Sequence, residues 1–265
     1  MLMRIRPALG GVRRKLERCK RHLDELDALM YGDKAGRPYR FAYELNADKA
    51  LYECFIREVD DRFGNVSILI GEICYQLRSA LDYIVFDFAA PNFPSLPTQL
   101  DRAIRSTYFP ILLGPNDSAL RGRLQYVSQE VFKIVEDLQP YKARHGDPAI
   151  DELWVLEQMN LWDKHRHLNI MQGGIHITTS SIPPGVQIRT DSFNETEAFA
   201  LIPIDLDPEE DFEPLLTVEI VVEVPPKSTL NIRGLHALHE YVRDKVLPRF
   251  DGLASYEGPL TVGQP

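Results

Sequence analysis

The amino-acid sequence predicts an α+β fold, and three observations carry that reading. Apolar residues recur at helical spacing through roughly the first 170 positions. After Gly174 the chain turns to β-branched residues punctuated by Pro and Gly. Strands and helices do not alternate strictly, so a doubly wound parallel sheet does not fit. The expected arrangement is one domain over 1–265. A helical layer of about four helices and a β-hairpin fills about 11–172, a mostly antiparallel sheet about 173–226, and a last helix about 231–250.

The first helix is expected from Gly11 to Tyr31. Val12, Leu16, Cys19, Leu23, Leu26 and Met30 step by four and three, which is a heptad stripe. It is too short to stand alone, so it packs on this chain or on a second copy, and a homo-oligomer formed through the 12–30 helix is one reading. Tyr39–Leu45 and Leu51–Val59 read as a hairpin turned at Asn46–Asp48, with a helix over Asp48–Asp61 as the competing reading. That hairpin can add strands to the later sheet. A long helix is expected over Asn65–Ala90, stopped by Pro91. Ile70, Ile73, Cys74, Leu77, Leu81, Ile84, Val85 and Phe88 share its apolar stripe, and Arg78 and Asp82 lie at the margin, one turn apart.

Pro91–Pro115 holds five prolines and reads as a connection with a short extended piece at Tyr108–Leu112. Helices are expected over Ser118–Leu138 and Pro148–Asn169. Ile175–Ile182, Val186–Ser192, Ala198–Ile204 and Leu215–Val224 read as strands, with a Pro-Pro-Gly turn at 183–185 and a stop at Pro225-Pro226.

The 265 residues are 44% hydrophobic and 26% charged, ordinary for a globular chain with a sizeable core. A formal net charge of -9 argues against a protein that coats DNA. Cys19, Cys54 and Cys74 are odd in number and lack CxxC spacing, so neither a zinc knuckle nor a disulfide framework is expected. With no signal-like leader and charges inside its most apolar run, Val66–Ala90, a soluble cytoplasmic protein without a membrane span is expected.

The most informative segment is DELWVLEQMNLWDKHRHLNI, apolar nearly all round, with Asp163 and Arg166 projecting among Val155, Met159, Trp162 and Ile170. Unpaired charges there cost several kcal/mol, so both need partners. Arg78 and Asp82 are the obvious ones: Arg78 is expected to meet Asp163, and Arg166 to meet Asp82, with His165 and His167 beside them. Such a network either fixes the register of two helices or forms a polar pocket for an anion, with a His as acid or base.

At these residues a resemblance appears. GEICYQLRSALDYIV, YFPI, LQPY and LWVLEQMNLWDKHRHL occur in this order over Gly71–Leu168. The set resembles a family of uncharacterised bacterial and phage-associated proteins, which implies no activity; a role in phage–host conflict is an association only. A weaker resemblance is to HEPN-type helical domains, some of which are metal-independent RNases. They carry an Arg on a long helix in a setting similar to Arg78–Asp82, and a signature of Arg, four to six residues, then His. Arg233 to His239 fits that spacing, as chance alone allows, and Arg166-His167 departs from it. The resemblance implies an RNase using Arg78, Arg166 and His165 or His167 as the candidate catalytic residues.

Other motifs are weaker. Arg13, Arg14, Lys15, Arg18, Lys20 and Arg21 crowd the start of the first helix, against the helix dipole. A solvated face, pairing with the eleven acids of Asp191–Glu223, or RNA or other nucleic acid would each account for them. His165-x-His167 and His236-x-x-His239 lack the further ligands of a metal site, and no phosphate loop, dinucleotide fingerprint or nucleophile elbow occurs. No cofactor and no metal are therefore expected. The leading reading is a binding or interaction protein built around Arg78, Asp82, Asp163 and Arg166; the alternative is the HEPN-like RNase.

Overall fold

The computed structural model describes residues 9–32, 39–58, 62–142, 146–165, 182–188, 198–212, 219–222 and 228–254. The fold is α+β, and the early elements fall where the sequence places them: α1 (Gly10–Tyr31), β1 (Tyr39–Asn46), β2 (Leu51–Glu58) and α2 (Arg62–Ala89). All six residues of the α1 heptad stripe are buried to 4% exposure or less within the chain itself. The hairpin turn is held by Asn46, whose side-chain oxygen accepts the Lys49 amide at 3.2 Å.

The middle of the chain departs from expectation. The Pro-rich connection contains α3 (Pro97–Ser106), because Pro97 sits in the first turn, where its missing N–H costs nothing. The expected helix over Ser118–Leu138 is two: α4 (Asp117–Arg123) and α5 (Gln129–Asp137). Each has its own N-cap. The Asn116 side chain accepts the Ala119 amide, and Ser128 Oγ accepts the Val131 amide. Residues 107–112 form neither helix nor strand. The expected helix from Pro148 opens as a 3₁₀ turn (Pro148–Ile150), and α6 (Glu152–His165) follows an Asp151 cap on the Leu153 amide at 2.9 Å. The expected continuation to Asn169 lies outside the described residues.

Of the later strands, β3 (Gln187–Ile188), β4 (Ala200–Pro203), β5 (Glu219–Val222) and β6 (Ser228–Asn231) are described. β6 lies beyond Pro225-Pro226, where no strand is expected. The expected strand over Ile175–Ile182 lies outside the described residues except for Ile182, which is not in a strand. The turn at 183–185 forms, with Gly185 at φ 90°. The last helix is interrupted: α7 (Ile232–Glu240), capped by Asn231 on the Gly234 amide, passes into a π-helical turn (Tyr241–Val246) and then α8 (Pro248–Asp251).

Two compact units divide the chain. The first comprises Met1–Leu23, Gly71–Arg166 and His236–Pro265, and the second Asp24–Ile70 and His167–Leu235. In the second unit the hairpin joins the later strands as expected. Four antiparallel strands run in the order β1-β2-β4-β3, with Cys54 opposite Ala200 and Leu51 opposite Pro203. Their apolar side is marked by Phe41, Phe199 and Phe212, whose rings follow one another at 5.7 and 6.3 Å. β5 and β6 form a separate antiparallel pair. In the first unit the core holds Ile73, Cys74, Leu77 and Leu81 of α2, Leu153, Leu156 and Met159 of α6, and Phe109, Val135 and Phe250. No helix of the described residues is long and apolar enough to cross a membrane.

Candidate functional site

Arg78 and Asp82 stand one turn apart on the same face of α2, so their side chains meet. Arg78 is 7% exposed, and each nitrogen of its guanidinium donates to a different acceptor. Nη1 donates to Asp82 Oδ1 at 2.5 Å, Nε to Glu157 Oε2 at 2.6 Å and Nη2 to the Phe109 carbonyl at 2.9 Å. The Phe109 amide returns the bond, donating to the same Asp82 oxygen at 3.0 Å. Three segments of the first unit thus meet at one side chain or its partners: α2, α6 and the 107–112 segment, in which the Tyr108 ring centroid lies 4.2 Å from the Arg123 guanidinium carbon and 6.0 Å from that of Arg78.

The far side of the 107–112 segment is held by Gln139, 1% exposed. Its Nε2 donates to the Pro110 carbonyl at 2.8 Å and its Oε1 accepts the Leu112 amide at 3.0 Å. A stretch with no strand partner thereby has its buried backbone groups satisfied by side chains. The LRSALD, YFPI, LQPY and LEQ motifs of the sequence are the parts of this clamp: Arg78 and Asp82, Phe109 and Pro110, Gln139, and Glu157.

Electrostatics at the clamp are dominated by burial. Loss of solvent pushes the Asp82 carboxyl above the usual aspartate range, although Arg78 and the Phe109 amide pull the other way. Two carboxylates share one guanidinium, so the pair leaves a net negative charge at the partly exposed rim.

The expected cross-helix pairing is corrected. Arg78 meets Glu157 rather than Asp163, and among the described residues Asp82 meets Arg78 and the Phe109 amide. Glu157 lies one turn after Leu153, at the edge of the buried face of α6, while Asp163 is exposed near the end of that helix. The Asp163 carboxylate rests against Gly71, where a Cβ would fall inside it. Arg166, His167 and the side chain of His165 lie outside the described residues, so their expected place in the network does too.

Two other histidines are buried. His22 Nε2 accepts from Arg18 Nε at 3.0 Å, and Nδ1 faces Glu72 Oε2 at 3.3 Å. His239 Nε2 donates to the Leu16 carbonyl at 3.2 Å, and burial holds its pKa below the usual histidine value. That bond engages one of the two nitrogens that a His236–His239 metal pair would need. Among the described residues no group of three or more His, Cys, Asp or Glu side chains is placed to hold a metal ion. The three cysteines are free and buried, and desolvation raises the Cys19 thiol to about 12.

Comparison with family models, curated proteins and solved structures gives no match to this chain. The functional reading therefore rests on the geometry alone.

Proposed function

We propose that this chain is a cytoplasmic binding or interaction protein in which the Arg78 clamp is scaffold rather than catalytic machinery. One observation carries the reading. All three guanidinium nitrogens of Arg78 are taken by acceptors of the chain itself, two of them carboxylates. A residue that stabilises a developing phosphorane or binds an anion presents its guanidinium to the ligand, whereas Arg78 is 7% exposed and directs three of its five N–H groups into the chain. Arg78 presents two carboxylates toward the rim instead, which repel a phosphate. No nitrogen of a described histidine joins the clamp. The apolar stripe of α1 is buried within the chain, so self-association through the 12–30 helix would use its charged outer face.

The test is incubation of the purified protein with single-stranded and structured RNA, over a range of pH and salt, with and without chelator. This reading expects the RNA to stay intact. Metal-independent cleavage that disappears in His165→Ala or His167→Ala would replace it with the HEPN-like RNase reading.

A further inference from the structure

One face of the first unit combines charge and aromatic rings in a way the internal contacts leave unused. Positions 13–21 of α1 hold six cations and one acid, Glu17, in a chain of net charge -9. Arg14, Arg18 and Arg21 stand at i, i+4 and i+7 and form an exposed stripe about 10 Å long. Arg18 spends Nε on His22; Arg14 and Arg21 have no acceptor among the described residues.

Beside it, Tyr75 and Tyr83 of α2 are 48% and 42% exposed, large rings left open to solvent. Lys15 ties them to α1, with Nζ 5.2 Å from one centroid and 5.4 Å from the other. Tyr83 also packs on Gly11, where a Cβ would stand 2.9 Å from its Cδ2. The two tyrosines are about 12 Å apart along the α2 backbone, and their rings converge on the one Lys15 ammonium between them.

We propose that this α1–α2 face binds single-stranded nucleic acid, phosphates on the Arg14–Arg18–Arg21 stripe and bases against Tyr75 and Tyr83. The inference rests on the binding-protein reading and names its ligand. An acidic peptide would match the charge but has no use for two fixed, exposed rings. A duplex keeps its bases stacked inside. A single strand offers phosphates and base faces together, and stacking is tolerant of sequence. RNA and DNA share this chemistry, and a 2′-hydroxyl contact would separate them.

Fluorescence anisotropy with labelled oligouridylate and oligodeoxythymidylate of about 16 nucleotides tests it. At about 50 mM salt at least one strand should bind, and affinity should fall linearly with the logarithm of salt. Arg14→Glu with Arg21→Glu should weaken binding and flatten that slope by about 0.7 per lost phosphate contact. Tyr75→Leu should weaken it about 5- to 150-fold with the slope unchanged, and Tyr75→Phe should retain it. Circular dichroism and thermal unfolding of each variant exclude loss of fold as the cause. Preference for either strand names the source and supports the inference. Failure of both strands to bind at low salt overturns it. So does binding of polyglutamate as tight as either strand that Tyr75→Leu leaves intact, which would mean an acidic protein surface. Cleavage of the bound strand would leave the ligand in place and overturn the non-catalytic reading instead.

Discussion

Arg78 and Phe109 are joined through both backbone groups of the phenylalanine. The guanidinium donates to the Phe109 carbonyl at 2.9 Å, and the Phe109 amide donates to the Asp82 oxygen that Arg78 also holds, at 3.0 Å. A segment without secondary structure is thereby tied to α2 as firmly as a strand is tied to its neighbour. The charge network is a backbone clamp, and its consequences for stability are direct.

Gln139 closes the other side of that clamp. Gln139→Leu keeps the volume but orphans the Pro110 carbonyl and the Leu112 amide. Each buried orphan costs about 1–3 kcal/mol. Chemical denaturation should therefore show a loss within or above that range, with the m-value unchanged. A neutral effect would mean that solvent reaches those groups.

Gly71 and Asp163 should couple. A Cβ at Gly71 meets the Asp163 carboxylate, so Gly71→Ala displaces that side chain and destabilises the parent. In an Asp163→Ala background the same change has room, and Ala exceeds Gly in a helix interior by about 1 kcal/mol. A double-mutant cycle should show Gly71→Ala changing sign from destabilising to stabilising. The same effect in both backgrounds would separate the two residues.

His239 gives the protein a pH dependence of known sign. Burial lowers its pKa below the ordinary 6.5, reinforced by Arg243, Lys20 and His236, while the bond to Leu16 opposes the shift. The unfolded chain therefore takes up its proton first as pH falls. The contribution is fully present above the unfolded value and is lost as pH drops through the folded one. Melting temperatures measured from about pH 8 to 5 should fall on the acid side, and His239→Gln should flatten that fall. An equal slope in the variant would assign the effect to another group.

The buried thiols should be inert. Cys19 is raised to about 12, and burial also raises Cys54 and Cys74. A thiol reagent at neutral pH should label the native protein only at the rate of unfolding, and all three sites rapidly in denaturant. Fast labelling of the folded chain would place a cysteine at the surface.

Much of this fold is legible in the sequence because its signals are local. The heptad steps of α1, the β-rich halves around Asn46, and the apolar run ended by Pro91 each specify an element without tertiary help. The breaks are harder. Ser128 is an N-cap, but within an amphipathic run it reads equally well as helix interior. Pro97 reads as a breaker, although the first turn of a helix accepts it. At the clamp, the sequence marks Arg78 and Asp82, one turn apart at the margin of an apolar stripe, as partners for charges on the helix near 148–169, and Arg78 is indeed paired across to that helix. Which residue it meets there is not legible, because α6 is apolar on most sides and the wheel does not say which side is buried. Leu153, Leu156 and Met159 mark that side, and Glu157 lies at its edge. Gln139 was visible only as part of a motif, since nothing local announces that a neutral amide will satisfy a distant backbone.

Thermal unfolding of Arg78→Ala beside the parent tests the central claim most directly. Removing one partner of a buried charge cluster leaves the others uncompensated and costs about 3–5 kcal/mol. For a chain of this size that corresponds to a melting point lower by about 6–20 °C. A fall within that range is the result expected of a structural clamp. An unchanged or raised melting point would contradict it, and would mean that the charges at Arg78, Asp82 and Glu157 are kept for chemistry rather than for the fold.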